Sequence, residues 1–415
     1  MGMTIIEKIL ARASGAARIA PGDLAVVAVD LVVMIDLSFS QGSWREVLKV
    51  HDPAKVVVVF DHDVPASNRD SAAMHARGRE FARRFGITRV HDVGPTQGIS
   101  HVVVAENAYA LPGTVMACSD SHTCSAGALN CAARGLGAPD LLYALTTGQT
   151  WFRVGETVRY DLDGRLPAGV SAKDLFLHIA GTYGDHANQN VEFGGAALPS
   201  LSIDARRTLT TMGAELSAEF ATFEPDELLL DYVRARNPAP FEPQYPDPDA
   251  GYAARRTVDL AAMRPMVALP DRVIRNTVPV GEAAGEPIHQ AFIGSCANGT
   301  LDDLAEAARV LAGRQVAPGV RLLVTPGSQK TAAAAARAGY LQILLDAGAV
   351  VTPATCGACY GGHMGVVGPG ETCITASTRN FRGRIGHESA RIYMASPATV
   401  AASAVRGHIA EAGSL

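Results

Sequence analysis

The chain lacks a basic surplus: 36 Lys and Arg stand against 41 Asp and Glu, a formal net charge of −5. Nucleic-acid surfaces are usually built on a positive excess, so this balance argues against that role. It leaves room for an anionic small substrate, which a few local arginines can bind. A membrane span is also missing. The most apolar stretch, Leu24–Met34, is interrupted by Asp30 and is too short to cross a bilayer. No signal peptide is expected, because Met1–Ala11 carries Glu7 and Lys8 and has no apolar core. Gly2 does not complete a myristoylation motif, since position 6 is Ile rather than Ser or Thr. No G-x-G-x-x-G follows a strand and no Walker A sequence occurs, so a nucleotide site has no support. There is no 20–50-residue repeat and no low-complexity tail. The expected compartment is the reducing cytoplasm, where cysteines bind metal or do chemistry more often than they form disulfides.

What is present is ordinary globular material, 48% apolar and 19% charged, with 41 Gly and 23 Pro in 415 residues. That length can bury a large interior in two or three domains. Short apolar runs alternate with helical patterns, the signature of an α/β fold. Val56–Phe60, Thr114–Cys118, Ala291–Ile293 and Leu322–Thr325 read as buried strands. Ser71–Phe85 reads as a helix with Phe81 and Phe85 at i, i+4. Leu301, Leu304, Ala308 and Leu311 form one helical face behind a Thr300 N-cap, and Gln329–Ala338 is an Ala-rich helix. Pro238–Pro248 holds five prolines in eleven residues and excludes regular structure. It is expected to be a surface linker at 238–250, between an N-terminal part (1–237) and a C-terminal part (251–415).

Seven cysteines are present, and three stand out. Cys356 and Cys359 form a C-x-x-C, and Cys296 lies upstream in Gly294-Ser295-Cys296-Ala297-Asn298-Gly299. A lone C-x-x-C could be a thioredoxin-like redox pair, but such pairs have no remote third partner. A structural zinc site closes with four ligands, whereas a catalytic metal keeps a position open. Three thiolates on a cubane cluster leave one iron free as a Lewis acid. Cys118, Cys124, Cys131 and Cys373 read as small apolar core residues.

The company of these cysteines carries a resemblance. Cys356–Cys359 is followed by Gly361-Gly362-His363-Met364-Gly365, Pro369-Gly370-Glu371, and Ser377-Thr378-Arg379-Asn380-Phe381-Arg382-Gly383-Arg384. Upstream stand Met3-Thr4-Ile5, Ala11-Arg12-Ala13-Ser14, Phe60-Asp61-His62-Asp63-Val64-Pro65, Asp120-Ser121-His122-Thr123-Cys124, Thr150-Trp151-Phe152-Arg153-Val154 and Val191-Glu192-Phe193-Gly194-Gly195. In this order the chain resembles the aconitase superfamily over nearly its whole length, and within it the 3-isopropylmalate dehydratase/homoaconitase large-subunit branch. The resemblance implies three α/β/α subdomains around a cluster cleft, with a [4Fe–4S] cluster on Cys296, Cys356 and Cys359. It implies a hydro-lyase/isomerase that dehydrates and rehydrates a 2- or 3-hydroxy di- or tricarboxylic acid.

Such chemistry needs a proton donor for the leaving hydroxyl, a base for a weakly acidic C–H, and cations for the carboxylates. Asp61-His62 ends a strand, a usual place for function in α/β folds. The resemblance makes His62 the proton donor with Asp61 orienting it. His101, Asp120 and His122 match further active-site groups, and Ser121 is expected close to substrate. Glu192 is expected to be the acid that pairs with His122. Arg379 and Arg384 match substrate-carboxylate arginines, whose forks bind bidentately as lysine cannot. His51, His75, His91, His178, His186, His289, His387 and His408 are read as structural or exposed, and His363 stays open.

Three positions depart from the family pattern. Ala297 replaces a usual Thr, Thr378 a usual Asn, and Thr210-Thr211-Met212 a usual Cys-Asn-Met. These changes suggest a specialised paralogue with an altered substrate. Single-chain aconitases also carry a swivelling domain with a Gly-Ser-Ser-Arg-type loop, whose Ser is the C–H base. No such loop occurs here, so the resemblance implies a separate small subunit. Competing classes are a cluster-free RNA-binding switch, which the acidic balance disfavours, and a non-catalytic protein with a structural metal, which would leave the acid/base motifs idle.

Overall fold

The computed structural model describes residues 2–415; Met1, the first residue of the expected N-terminal part, lies outside them. Three main sheets organise the chain, and each is built on the short apolar runs of the sequence. The first has five parallel strands in the order Arg89–His91, Val56–Val59, Leu31–Ile35, Val115–Cys118, Ala132–Gly135. Its inner strands are continuous Val, Leu, Met and Ile, buried on both faces, which suits a sheet covered by helices on either side. The second has four parallel strands, Ala221–Phe223, Gln189–Gly194, Glu156–Asp163 and Ala254–Asp259. The third has seven, in the order Thr277–Pro279, Met266–Ala268, Arg391–Ala395, Thr372–Thr375, Gln290–Ile293, Arg321–Val324, Val350–Val351. Only Met266–Ala268 runs antiparallel to its neighbours; the other strands share one direction. Leu24–Ala28 and Gln149–Arg153 add a small antiparallel pair. The α/β class expected from the sequence is the observed one.

The helix expected over Ser71–Phe85 spans Arg69–Phe85. Asn68 accepts hydrogen bonds from the Asp70 and Ser71 amides, and Gly86 closes the helix at φ 66°. Gly78 on this helix faces Phe60, and a Cβ there would come within 2.6 Å of the Phe60 ring. The close approach seats the end of the Val56–Val59 strand. Phe60 also stacks on His75 at 4.7 Å. Thr300 caps Leu301–Leu311 in a reciprocal box with Asp303. Strand and helix bounds otherwise agree with the sequence expectation to within a residue or two.

The proline segment lies at the surface without regular structure, but it does not separate two cores. Asn130 holds it through Gln244 N and O, and Asp247 accepts from Met3 N at 2.8 Å. The strand after it, Ala254–Asp259, returns to the second sheet beside Glu156–Asp163. One core cluster joins Leu175, Phe193 and Phe223 to Ala297 and Met394. The segment is a strap over an N-terminal part that the later chain completes. Sheet pairing, which sequence patterning does not reveal, runs across the 238–250 segment.

Candidate active site

Parallel strands gather their C-terminal ends on one edge, and the polar loops of two sheets meet there. Asp61 and His62 follow Val56–Val59, and Asp120 follows Val115–Cys118. Cys296 follows Gln290–Ile293, Cys356 lies beyond Val350–Val351, and Arg379 lies beyond Thr372–Thr375. The loops are tied together. Cys356 N donates to Asp61 O at 2.7 Å, and Thr355 Oγ1 reaches the carbonyls of Asp61 and His62. Ile99 N donates to Gly327 O at 2.8 Å. The second sheet's helices join from the third side: Thr208 Oγ1 donates to Ala297 O at 2.9 Å and Arg207 Nη2 to Cys296 O at 3.4 Å.

Asp120 is the hub. One oxygen lies 2.9 Å from His101 Nε2 and accepts from His122 N at 2.7 Å; the other is 3.6 Å from His62 Nε2. Burial pushes its pKa up, but the bonds from His101, His122 and His62 outweigh burial and hold it well below the usual carboxylate range. His62 Nδ1 sits 2.7 Å from Asp61 Oδ1 and 3.3 Å from Asp36 Oδ1. Burial disfavours its charged form. The charge Cys356 carries when it is ionised, then Asp61 and hydrogen bonds to Asp120 and Asp36, overcome that and hold it well above the ordinary histidine range. Asp61 is itself steadied by Ser100 N at 2.8 Å.

Asp36 was not legible as a site residue. It is fully buried after the Leu31–Ile35 strand and accepts from the amides of His62 and Asp63, both at 3.0 Å. His75, expected to be structural, places Nε2 3.6 Å from Asp36 on the far side. His363 Nε2 donates to His62 O, 3.0 Å away, and so belongs to the same wall.

His122 is buried, yet Asp120 and Glu215 raise its pKa against that burial. Its Nε2 partner is Glu215 Oε1 at 3.0 Å, which corrects the expected pairing with Glu192. Glu192 lies inside the second sheet with no exposure. Arg159 Nη1 at 2.7 Å, Tyr252 OH at 2.6 Å and Ile5 N at 2.9 Å occupy its oxygens. Glu215 lies on the short turn after the Ile203–Thr211 helix, three residues past the Thr210–Met212 departure. That proximity was the one sequence signal for it.

Arg379 is oriented by Glu215 Oε1 at 2.7 Å and by Ser121 Oγ at 2.9 Å. Arg384 leans on the Phe381 ring at 5.8 Å, and its buried Nε has no hydrogen-bond partner among the described residues. Arg382 turns away to the exposed Asp271.

The three cysteines are free thiols, Cys296 and Cys359 buried and Cys356 half-buried. Cys296 and Cys356 pack together with Ile99 and Val102. Burial first, then the mutual charge of the cysteines and Asp61 or Asp120, pushes the pKa of Cys296 and of Cys356 well up. Cys359 is lowered despite burial, by Arg384 and by Thr378, whose Oγ1 lies 3.6 Å from Sγ. Two thiols that resist ionising alone are what a bound metal would convert to thiolates. A single tetrahedral ion needs its sulfurs about 3.8 Å apart. Among the described residues, the one trio of His, Cys, Asp or Glu ligand atoms within 4.8 Å is Asp61, His62 and Cys356. The three thiols spread wider than that, so they fit a polynuclear cluster better than one ion.

Of the departures, Thr378 touches one of these thiols and Ala297 adjoins another in the chain. Thr211 Oγ1 is buried with no hydrogen-bond partner among the described residues, Thr378 approaches Cys359, and Ala297 is packed in the core. Cys124 is a core residue, its Sγ 3.6 Å from Thr211 O, with a pKa pushed up by burial to about 12.

Carboxylate–imidazole pairs and three free thiols thus meet on one edge of the fold. Residues 22–407 match the Aconitase family (aconitate hydratase). The chain is 55% identical over 412 residues to the 3-isopropylmalate dehydratase large subunit of Mycolicibacterium smegmatis, covering 99% of this chain and 97% of the relative. It is 43% identical to "3-isopropylmalate dehydratase large subunit 1" of Methanopyrus kandleri, over 99% of both. It is 42% identical to a "probable 3-isopropylmalate dehydratase large subunit" of Methanothermobacter thermautotrophicus, over the whole of both chains. A solved structure, Thermococcus kodakaraensis aconitase X (holo-form), aligns over 93% of each chain at 14% identity with a TM-score of 0.49. The chain belongs to the aconitase family and is a hydro-lyase. No helix among the described residues is long and apolar enough to cross a membrane.

Proposed function

We propose that this chain is the large subunit of a 3-isopropylmalate dehydratase-type enzyme, which moves a hydroxyl between neighbouring carbons of a hydroxy diacid. Cys296, Cys356 and Cys359 would hold a [4Fe–4S] cluster. When bound, the cluster would supply a Lewis-acidic iron for the substrate hydroxyl and carboxylate.

The observation that carries the reading is the convergence of His62, His101 and His122 on Asp120, beside three free thiols. His62, held protonated by Asp61 and Asp36, donates its Nε2 proton to the departing hydroxyl. Asp120 receives that face of the ring and keeps the imidazoles in place. His122, backed by Glu215, is the second protonated group. Arg384 and Arg379 bind the substrate carboxylates as bidentate forks, with Ser121 and Glu215 fixing the second. Dispersed positive charge also stabilises the aci-carboxylate that forms as the C–H is lost. A small subunit with the serine base would complete the site. The names of the relatives support that partner.

The test is anaerobic reconstitution with iron and sulfide, addition of the small subunit, and alkene absorbance over a panel of 2- and 3-hydroxy diacids. Turnover of 3-isopropylmalate is expected. Turnover of a different member alone would reassign the substrate, and silence with an intact cluster would sink the enzymatic reading of these residues.

A further inference from the structure

Lys173 is the second residue of the Ala172–Tyr183 helix, inside a capping box formed by Ser171 and Asp174. Nothing of it is exposed. Its ammonium donates to Ser377 O at 3.0 Å and otherwise meets the thioether sulfurs of Met212, at 3.4 Å, and Met394, at 4.0 Å. An ammonium has three N–H donors, and thioethers are weak acceptors. No ion pair to Lys173 occurs among the described residues. A buried charge with this little compensation is costly, and a lysine needed for packing alone would be replaceable by methionine or leucine.

The negative groups that act on it are Asp303, Cys296, Cys359 and Glu215. Asp303 is already engaged by Thr300 and Asn298, and Glu215 by His122 and Arg379. That leaves the thiol cage. The lysine reaches it through Ser377, whose neighbour Thr378 touches Cys359.

We infer that Lys173 is the fixed counter-cation of the cysteine cage, a positioning charge that stabilises the anionic cluster and raises its reduction potential. The inference rests on the proposed cluster on Cys296, Cys356 and Cys359. Burial pulls the Lys173 pKa down to about 8, while the nearby anionic groups act in the opposite direction. Hydrogen bonds and fixed charges near cluster sulfurs are known levers on cluster potential.

The experiment compares the full-length wild type with Lys173→Met and Lys173→Gln, each cluster-free and anaerobically reconstituted. Iron and sulfide content and visible absorbance establish loading. EPR-monitored titration gives the midpoint potential, and thermal unfolding gives the Tm gained on loading. Both variants are expected to show a more negative potential and a smaller Tm gain than wild type. Cluster-free Lys173→Met is expected to be as stable as cluster-free wild type or more so, because the uncompensated charge is gone. Unshifted potentials and an unchanged Tm gain would overturn the counter-cation. So would Lys173→Gln keeping the wild-type potential, since glutamine retains a donor to Ser377 O without the charge. A Tm loss equal in both states would point instead to long-range pairing with Asp303 and would overturn it too. A wild type that takes up no iron or sulfide would remove the cluster reading itself, an outcome separable from failure of the variants alone.

Discussion

His122 Nε2 lies 3.0 Å from Glu215 Oε1, and the same oxygen accepts from Arg379 Nε at 2.7 Å. One carboxylate therefore sets both the orientation of an imidazole and that of a substrate-facing guanidinium. Glu215→Gln is expected to lower kcat by about 100-fold or more, the usual range for disrupting acid–base positioning, with cluster absorbance retained. Glu192→Gln should do the opposite. It removes one of the three carboxylates on Arg159 and leaves Asp161 and Glu224 in place, so the loss should be smaller than the about 3–5 kcal/mol of a buried charge left with no partner, seen as a lower Tm with little change in kcat. A Glu192 variant that lost turnover at full stability would restore it to the site.

Asp36 lies between His62 and His75, its oxygens occupied by backbone amides and the two rings. His62 and His75 hold Asp36 well below the usual carboxylate range against the effect of burial. Asp36→Asn keeps the shape but removes the charge that favours protonated His62. The pH limb on which kcat falls at high pH should move to lower pH, with KM nearly unchanged. An unaltered pH–rate profile would make Asp36 a purely structural residue.

Arg384, whose Nε has no hydrogen-bond partner among the described residues, lies near Cys359. Arg384→Lys is expected to raise KM roughly 10- to 100-fold, the cost of about 1.5–3 kcal/mol for a charge-assisted hydrogen bond, while leaving cluster content unchanged. Steady-state kinetics with parallel iron analysis checks this.

Cys296→Ser should abolish cluster incorporation, whereas Cys124→Ser should leave iron and sulfide content at the wild-type level. Visible absorbance after anaerobic reconstitution separates the two. Loss of cluster in the Cys124 variant would contradict its place in the core.

His186 gives the fold a pH dependence away from the site. Its Nε2 lies 2.8 Å from Tyr160 OH, and burial, then Arg256, lowers its pKa to about 4. The folded state prefers neutral His186 and the unfolded state binds the proton first. The contribution is thus intact above about pH 6.5, the ordinary histidine value, and is lost as pH falls toward 4. The expected loss is about 2 kcal/mol. His186→Gln, which keeps a polar group for Tyr160, should flatten the Tm profile between pH 7 and 4.5.

Much of the site was legible because its signals are local. A run of four valines followed by Asp-His states both the strand and what hangs from its end. The three cysteines sit in loops whose residue types are unusual enough to be recognised without a fold. Pairing partners were not legible in the same way. Glu192 and Glu215 are equally acidic and both lie beside distinctive residues. Only the packing of the Ile203–Thr211 helix on the Ser121–Leu129 turn puts one of them against His122. The other meets Arg159, because residues facing each other across neighbouring strands share a register that sequence spacing does not encode.

Local chemistry along the chain was enough for the α/β class, the strand ends and the adjacent Asp61–His62 pair, since each depends on residues a few positions apart. Three-dimensional packing assigned Glu215 to His122, Asp36 and His75 to the back of His62, and Lys173 to Ser377 O. It also carried Ala254–Asp259 back across the proline strap. Those assignments depend on which strands and helices become neighbours, and burial makes such choices energetically decisive: a carboxylate or ammonium removed from water must find its partner wherever the fold brings one.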